Sequence, residues 1–77
     1  MIPLYGFVEG DTMGLLILAQ EADTVAELAE KLQQAARVRV AKRSRVKVLY
    51  GGRVLEPSQT LAQAGVEMLE RVDLVSE

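Results

Sequence analysis

The sequence predicts an α+β fold in which one main helix and one short helix pack against a mixed sheet of four to five strands, all within a single domain spanning residues 1–77. Three observations support this prediction. Residues Asp23–Gln34 form one amphipathic segment with a helix start signal. Apolar, β-prone segments lie on both sides of it, and clusters of turn-forming residues separate those segments. Because a helix of about three to four turns is only marginally stable by itself in water, the strands must form the sheet that covers it.

The start signal of the helix is a capping box. Thr24 can accept a hydrogen bond from the amide of Glu27, and the Glu27 carboxylate can reach back to the amide of Thr24. Apolar residues then recur at intervals of three and four positions, which is the spacing of a single buried stripe. That stripe consists of Val25, Leu28, Leu32 and either Ala35 or Ala36.

Two apolar segments precede the helix. Residues Ile2–Val8 and 13–19 are predicted to pair as an antiparallel hairpin, because four turn-forming residues separate them. Side chains alternate between the two faces of a strand. Glu9 is an odd-numbered residue like Tyr5 and Phe7, so all three lie on the same face. Because Glu9 is better placed in solvent, we assign that face as the outer one. The set predicted to face the helix is Leu4, Gly6, Val8, Leu16 and Leu18, and the outward set is Tyr5, Phe7, Leu15 and Ile17.

The outward set predicts an interaction surface. Four large apolar side chains on an outer sheet face would form a patch of about several hundred Å², the size that usually marks a contact with another molecule. Two other arrangements stay open. In one, the alternation is shifted by one residue; in the other, the C-terminal tail folds over these side chains.

After the helix the chain is predicted to form four further elements. In order, these are a strand at Val46–Tyr50, a short strand at Arg53–Leu55 after the Gly51-Gly52 turn, a short helix within Ser58–Gly65 capped by Thr60, and a strand at Val72–Val75. Because the main helix crosses over between the second and third strands, the first and last strands are expected to pair in parallel at the centre of the sheet.

The amino-acid composition argues against an enzyme. The chain contains no cysteine and no histidine, which excludes disulfides, thiolate or imidazole metal ligands, and catalysis by Cys or His. Its eleven Asp and Glu residues are scattered through segments predicted to be solvated helix faces and turns. We therefore predict no catalytic, cofactor-binding or metal-binding residue in this chain.

Basic residues are concentrated after the helix, although the net charge is only −2. Six of the nine Lys and Arg residues fall within eleven positions, at Arg37, Arg39, Lys42, Arg43, Arg45 and Lys47. Such a block is compatible with nucleic-acid binding, but it contains no aromatic residue for base stacking and the rest of the chain is acidic. We favour a solvated loop or a docking surface for an acidic protein, and expect no nucleic-acid partner.

No segment predicts export or membrane insertion. The apolar residues 15–19 are far too few to span a bilayer, and the residues before them are acidic where a signal peptide would be basic. The expected location is the cytoplasm, with no membrane partner.

Four segments together resemble ubiquitin. They are residues 23–25, 47–55, 59–66 and 72–75. The resemblance implies the ubiquitin-like β-grasp fold. The sequence stops at Ser76-Glu77 without the diglycine tail that conjugation requires, so covalent tagging is not expected.

A closer resemblance is to the small B (gamma) subunit family of toluene and related aromatic diiron monooxygenases. The positions that carry it are Pro3, Glu9, Asp11, Asp23-Thr24, Ala29-Glu30-Lys31, the segment 37–45, Leu55-Glu56-Pro57, Thr60, Ala64-Gly65 and Asp73. The resemblance covers about residues 3–75. It implies a non-catalytic accessory subunit of the hydroxylase component of a bacterial multicomponent toluene- or phenol-type monooxygenase.

The resemblance also implies the partners and the cofactor. A larger hydroxylase subunit would carry a carboxylate-bridged diiron centre, and this chain would hold no cofactor itself. It would dock through the outward apolar set and part of the basic block, namely Tyr5, Phe7, Leu15, Ile17, Arg37, Arg39 and Arg43. The alternative function is a free-standing ubiquitin-like adaptor that binds other proteins and is not conjugated.

Overall fold

The computed structural model describes all residues 1–77 and contains one five-stranded sheet with a long helix packed on one face. In chain order the elements are β1 (Ile2–Val8), β2 (Gly14–Ala19), α1 (Val25–Ala36), β3 (Val46–Tyr50), β4 (Arg53–Val54), α2 (Leu61–Ala64) and β5 (Arg71–Ser76). The strands lie in the order β2-β1-β5-β3-β4 across the sheet. The predicted α+β architecture is confirmed.

The two terminal strands of the chain lie side by side in the sheet. β1 and β5 are parallel and run in register from Tyr5 opposite Arg71 to Val8 opposite Leu74. All other strand pairs are antiparallel. The predicted parallel pairing of the first and last strands is therefore confirmed. This pairing joins the β1–β2 hairpin to the strands that follow α1.

The start of α1 is the predicted capping box. The Glu27 amide donates to Thr24 Oγ1 over 3.1 Å, and the Thr24 amide donates to Glu27 Oε1 over 2.9 Å. The buried side chains of the helix are Val25, Leu28, Ala29, Leu32, Gln33 and Ala36. Of the two alanines that the sequence left open, Ala36 completes the buried stripe and Ala35 is exposed.

Seventeen buried apolar side chains form one core cluster. Leu32 of α1 packs directly on Gly6 in β1. A Cβ atom at that position would collide with the Cδ2 atom of Leu32. Gly6 therefore belongs to the core as the sequence predicted, and its missing side chain makes room for the helix.

The face assignment of β2 was wrong. In the structure Leu15 and Ile17 point toward the core, with Ile17 only 8% exposed, whereas Leu16 and Leu18 point outward. The turn of residues 9–13 places Leu4 opposite Ile17. Even-numbered residues of β1 therefore lie opposite odd-numbered residues of β2 and share a face with them. Because β2 is apolar on both faces, its pattern could not fix the register, and the turn geometry decided it.

The bounds of β1 and β3 are those predicted, and the bounds of the other elements differ from the prediction by about one to three residues. β4 ends at Val54, although the Leu55 amide still donates to the Val48 carbonyl oxygen over 2.9 Å. α2 is only the single turn that follows the Thr60 cap, and Gly65 ends it in the left-handed conformation with φ of 76°. No helix combines the length and the apolar character needed to cross a membrane.

Candidate docking surface

The sheet face opposite α1 carries a cluster of three exposed apolar side chains and the half-buried Pro3, which we call the outer apolar patch. It consists of Pro3, Tyr5, Leu16 and Leu18. Pro3 lies opposite Leu18, and Tyr5 lies opposite Leu16, so the four side chains form two neighbouring cross-strand pairs. Tyr5, Leu16 and Leu18 are 47%, 60% and 56% exposed. Such a grouping is typical of a contact surface, whereas single exposed apolar residues are common on any protein.

Phe7 borders the patch on the same face of β1 but is half-buried. Its cross-strand neighbour is Gly14, and a Cβ atom there would lie 2.9 Å from the Phe7 ring. The guanidinium group of Arg71 lies 4.0 Å from the ring centroid, and the Asp73 carboxylate holds that group over 2.9 Å. The Phe7 ring is therefore covered by a cation–π contact, and the apolar patch ends where β5 begins.

The structure thus separates the predicted docking residues. Tyr5 and Phe7 lie on the outer face, as the sequence predicted. Leu15 and Ile17 lie on the core side, and their places are taken by Leu16 and Leu18. One signal in the sequence could have found these two leucines. The four turn-forming residues 9–12 that separate the two predicted strands are an even number, and an even number of residues between paired strand ends places odd-numbered residues of β1 opposite even-numbered residues of β2.

Arg39 of the basic segment, residues 37–47, is an internal contact. Its Nε donates to both carboxylate oxygens of Asp11, over 2.9 and 3.0 Å. Asp11 also accepts a hydrogen bond from the Met13 amide, and its side chain is only 1% exposed. The hydrogen bonds from Arg39 hold the pKa of Asp11 below its usual range. Arg39 therefore fastens the basic segment to the β1–β2 turn.

Arg43 makes a second such contact at the ends of β1 and β5. Its Nη1 donates to Glu9 Oε1 over 3.0 Å and to Ser76 Oγ over 2.8 Å. The amide and hydroxyl of Ser76 donate to the same Glu9 oxygen, over 2.9 and 2.7 Å, and these bonds lower the pKa of Glu9. The buried amide of Gln33 binds the Arg43 backbone, accepting from its N–H over 2.7 Å and donating to its carbonyl oxygen over 3.1 Å. Arg43 is thus held from three elements.

Only part of the basic segment remains available to a partner. Lys42 pairs with Glu30 over 2.6 Å, in a contact where both side chains are more than half exposed. Arg37 bonds only the Gln34 carbonyl oxygen, and Arg45 and Lys47 take part in no ion pair. Of the three arginines predicted to dock, Arg37 is therefore the one without a carboxylate partner. None of them lies on the outer apolar patch.

A groove of about 420 Å³ lies between α1 and β3, on the other side of the sheet from the patch. Its floor is apolar, with Val25, Ala29 and Leu55, but its rim mixes acidic and basic side chains, Glu30 and Lys42 among them. The paired charges of the rim favour no ligand of one sign, so the patch is the better candidate for a docking surface.

The residues of this chain do not fit the diiron centre that the resemblance implies for the complex. No group of three or more Asp and Glu side chains is close enough to hold a metal ion. The carboxylates with a lowered pKa are each bound elsewhere in the fold: Glu9 to Ser76 and Arg43, Asp11 to Arg39, Asp23 to Lys31, and Glu70 to Tyr50. Carboxylate-bridged iron also takes histidine ligands, which the sequence lacks.

Solved structures provide the comparison at the level of the fold. The chain is similar to a chain of the toluene 4-monooxygenase HD complex with the inhibitor 4-bromobenzoate, with a TM-score of 0.91, 25% identity, and 99% of this chain and 98% of that chain covered. It is also similar to ubiquitin from Caldiarchaeum subterraneum, with a TM-score of 0.82, 18% identity, and 99% and 92% covered. The AtBAG1 structure in complex with HSP70 has a TM-score of 0.82 and 16% identity, with 100% of this chain and 41% of that chain covered. The last two support the ubiquitin-like β-grasp fold alone.

Sequence comparison provides the family. Among curated proteins, none is similar enough to this chain to count as a match. The family model described as toluene-4-monooxygenase system protein B (TmoB) matches residues 1–75, which is nearly the whole chain. The chain therefore belongs to the toluene-4-monooxygenase system protein B family.

Proposed function

We propose that this chain is a non-catalytic accessory subunit of the hydroxylase component of a bacterial multicomponent aromatic monooxygenase, and that it docks on the larger hydroxylase subunits through the outer apolar patch. Its family membership and its similarity to a chain of a toluene 4-monooxygenase complex support this role. The structural observation that carries the proposal is the patch itself, because it exposes Tyr5, Leu16 and Leu18 side by side. Aromatic and aliphatic side chains of this kind form the buried centre of stable interfaces.

The iron chemistry belongs to a partner in this proposal. A diiron centre in a larger subunit would supply oxygen activation, whereas this chain would contribute a contact surface and stabilise the assembly. The absence of histidine from the sequence and the structural roles of Glu9, Asp11, Asp23 and Glu70 support that division. The proposal includes a cytoplasmic location, where reducing equivalents for oxygen activation are available.

The surroundings of the patch predict the layout of the interface. A permanent subunit interface typically buries more than about 2,000 Å² in total, which is more than four side chains can provide. The Arg71–Asp73 pair borders the patch on β5 and would lie at the polar rim, where exposed charges set orientation more than affinity.

The second candidate is a free-standing adaptor, which the similarity to ubiquitin structures favours. The two functions differ in how tightly the partner is held. A permanent subunit stays bound through purification at nanomolar concentrations, whereas a transient adaptor dissociates at micromolar concentrations.

The test is co-expression with the larger subunits of an aromatic hydroxylase from the same organism. We expect this chain to co-elute with an iron-containing subunit in constant ratio through affinity and size-exclusion steps. The control is the hydroxylase expressed without this chain, which should be less stable to heat. Elution of this chain as a monomer beside a complete and equally stable hydroxylase would contradict the proposal.

A further inference from the structure

β2 forms one edge of the sheet and has no neighbouring strand on its outer side. The β1–β2 ladder shows which backbone groups face outward from it. The Tyr5 amide donates to the Glu70 carbonyl oxygen over 3.0 Å, so Tyr5 directs its N–H toward β5 and away from β2. Its cross-strand neighbour Leu16 therefore lies at a non-hydrogen-bonded position of the ladder. At such a position both backbone groups of Leu16 point to the open side of β2.

The same geometry recurs one pair further along. The Pro3 carbonyl oxygen accepts from the Leu69 amide, and Pro3 has no N–H, so Pro3 makes no bond with Leu18 across the ladder. The Leu18 carbonyl oxygen lies on the open side, where Lys31 Nζ approaches it to 3.4 Å. Lys31 is held more closely by Asp23, at 2.8 Å, and its side chain is 42% exposed. A partner strand that pairs with Leu18 must therefore replace the long hydrogen bond from Lys31, whose ion pair with Asp23 can remain.

The β2 edge lacks the features that usually prevent strands from pairing between molecules. Its six residues, GLLILA, contain no proline and no charged side chain. Natural edge strands are typically short or carry lysine, proline or a bulge. The opposite edge follows that rule, since β4 has only two residues and one of them is Arg53. An open apolar edge of this length is a template for an added strand.

We propose that the β2 edge binds an extended, mainly apolar segment of a larger hydroxylase subunit, which pairs with Leu16 and Leu18 as a sixth strand of the sheet. This inference rests on the proposed function and names the backbone contact within it. The partner segment must be extended, because only a strand offers donors and acceptors at the two-residue spacing of Leu16 and Leu18. Its outward side chains would continue the outer apolar patch, to which these leucines also belong.

A second copy of this chain is the competing occupant, and the patch argues against it. If two β2 strands paired around a two-fold axis, both sheets would join edge to edge with the same face outward. The two outer apolar patches would then lie side by side and remain exposed. A six-residue strand contact alone also buries less than the area of about 1,000 Å² that a stable interface needs. One larger partner that covers both edge and patch avoids both problems.

The test separates the backbone of Leu16 from its side chain. Leu16→Pro removes the outward N–H and the leucine side chain, whereas Leu16→Ala removes most of the side chain and keeps the N–H. The Leu16 N–H makes no bond within the chain, so both variants leave the β1–β2 ladder complete. We expect Leu16→Pro to bind the larger hydroxylase subunits at least tenfold more weakly than Leu16→Ala, with circular dichroism confirming that both fold.

Amide hydrogen exchange on the wild-type complex provides a second measurement that needs no variant. The Leu16 and Leu18 amides should exchange rapidly in the free chain and at least a hundredfold more slowly in the complex. Ile17, whose backbone faces β1, should change little.

Equal binding by the two Leu16 variants, with unprotected Leu16 and Leu18 amides, would overturn the strand pairing and leave the proposed function intact. A wild-type chain that does not bind the hydroxylase would overturn both. A β2-dependent dimer of this chain, lost in Leu16→Pro, would assign the edge to a second copy and overturn the inference.

Discussion

Asp11 shows how one side chain in the β1–β2 turn depends on the basic segment. The two hydrogen bonds from Arg39 and the bond from the Met13 amide all favour its ionised form. The pKa of Asp11 is therefore lower in the folded chain than the value of about 3.9 that an unfolded chain gives. A group of this kind contributes its full stability above the unfolded pKa, and the contribution disappears as the pH falls through the folded pKa.

The first prediction follows from this pH dependence of the stability that Asp11 contributes. At pH 7, Asp11→Asn should unfold at a lower urea concentration than the wild type, because Arg39 loses its charged partner. As the pH falls below about 4, the wild type loses the same contribution, so the difference between the two proteins should shrink. Glu56→Gln, at an exposed carboxylate without a hydrogen bond or ion pair, is the control and should show little difference at either pH. A gap that stays constant or widens in acid would contradict this account.

At the scale of elements, α1 positions the basic segment as well as the core. Gln33 is the buried polar side chain of the helix, and it satisfies both backbone groups of Arg43. This pair of bonds spans the α1–β3 connection and holds the Arg43 side chain over the ends of β1 and β5. The helix thus supplies apolar contacts on one face and one polar contact that fixes a loop.

The second prediction concerns this contact. Gln33→Leu keeps a side chain of similar size but leaves the Arg43 N–H and carbonyl oxygen without partners, which costs about 1–3 kcal/mol. We expect a lower free energy of unfolding and faster hydrogen exchange at the Arg43 amide. Gln34→Leu is the matched control, because the neighbouring glutamine is exposed and its side chain makes no hydrogen bond. Equal stability and equal exchange in the two variants would show that Gln33 does not hold the loop.

Sequence reasoning succeeded wherever a local signal had only one structural solution. The Thr24 capping box, the glycine pair at 51–52 and the Gly65 helix end each fix a local backbone geometry, and the structure contains all three. β2 is the counterexample. Its residues are apolar on both faces, and its register depends on the turn 9–13, so the faces of Leu15 and Ile17 were assigned incorrectly. As a result, Ile17→Asp would unfold the core and would not probe docking.

The sequence predicted which sheet face carries the candidate docking surface, but it predicted only some of the residues on that face. The outer face of β1 was identified correctly through Tyr5 and Phe7. The pairing of Arg39 with Asp11 and of Arg43 with Glu9 joins residues about thirty positions apart, and no local pattern encodes such contacts. Two residues of the basic segment, Arg39 and Arg43, are therefore internal contacts of the fold, although the segment is a single block in the sequence.

At the scale of the whole molecule, the two faces of the sheet have different roles. The inner face is covered by α1 and contains the core cluster, whereas the outer face keeps an apolar patch exposed beside a polar border. A fold of 77 residues has a thin stability margin, so exposed apolar surface that contributes nothing to its own core is best explained by a partner. This asymmetry is the physical basis of the accessory-subunit role.

The measurement that tests this claim most directly is the affinity of Tyr5→Asp for the larger hydroxylase subunits. Tyr5 lies in the patch but away from the β2 edge, and Arg71 opposite it gives the new carboxylate a cationic neighbour that helps the fold to persist. Burying the charge at an apolar interface should weaken binding at least tenfold. Val38→Asp, at an apolar residue that is 79% exposed outside the patch, should bind like the wild type. Equal affinities for the folded Tyr5→Asp and Val38→Asp variants would contradict docking through the outer apolar patch.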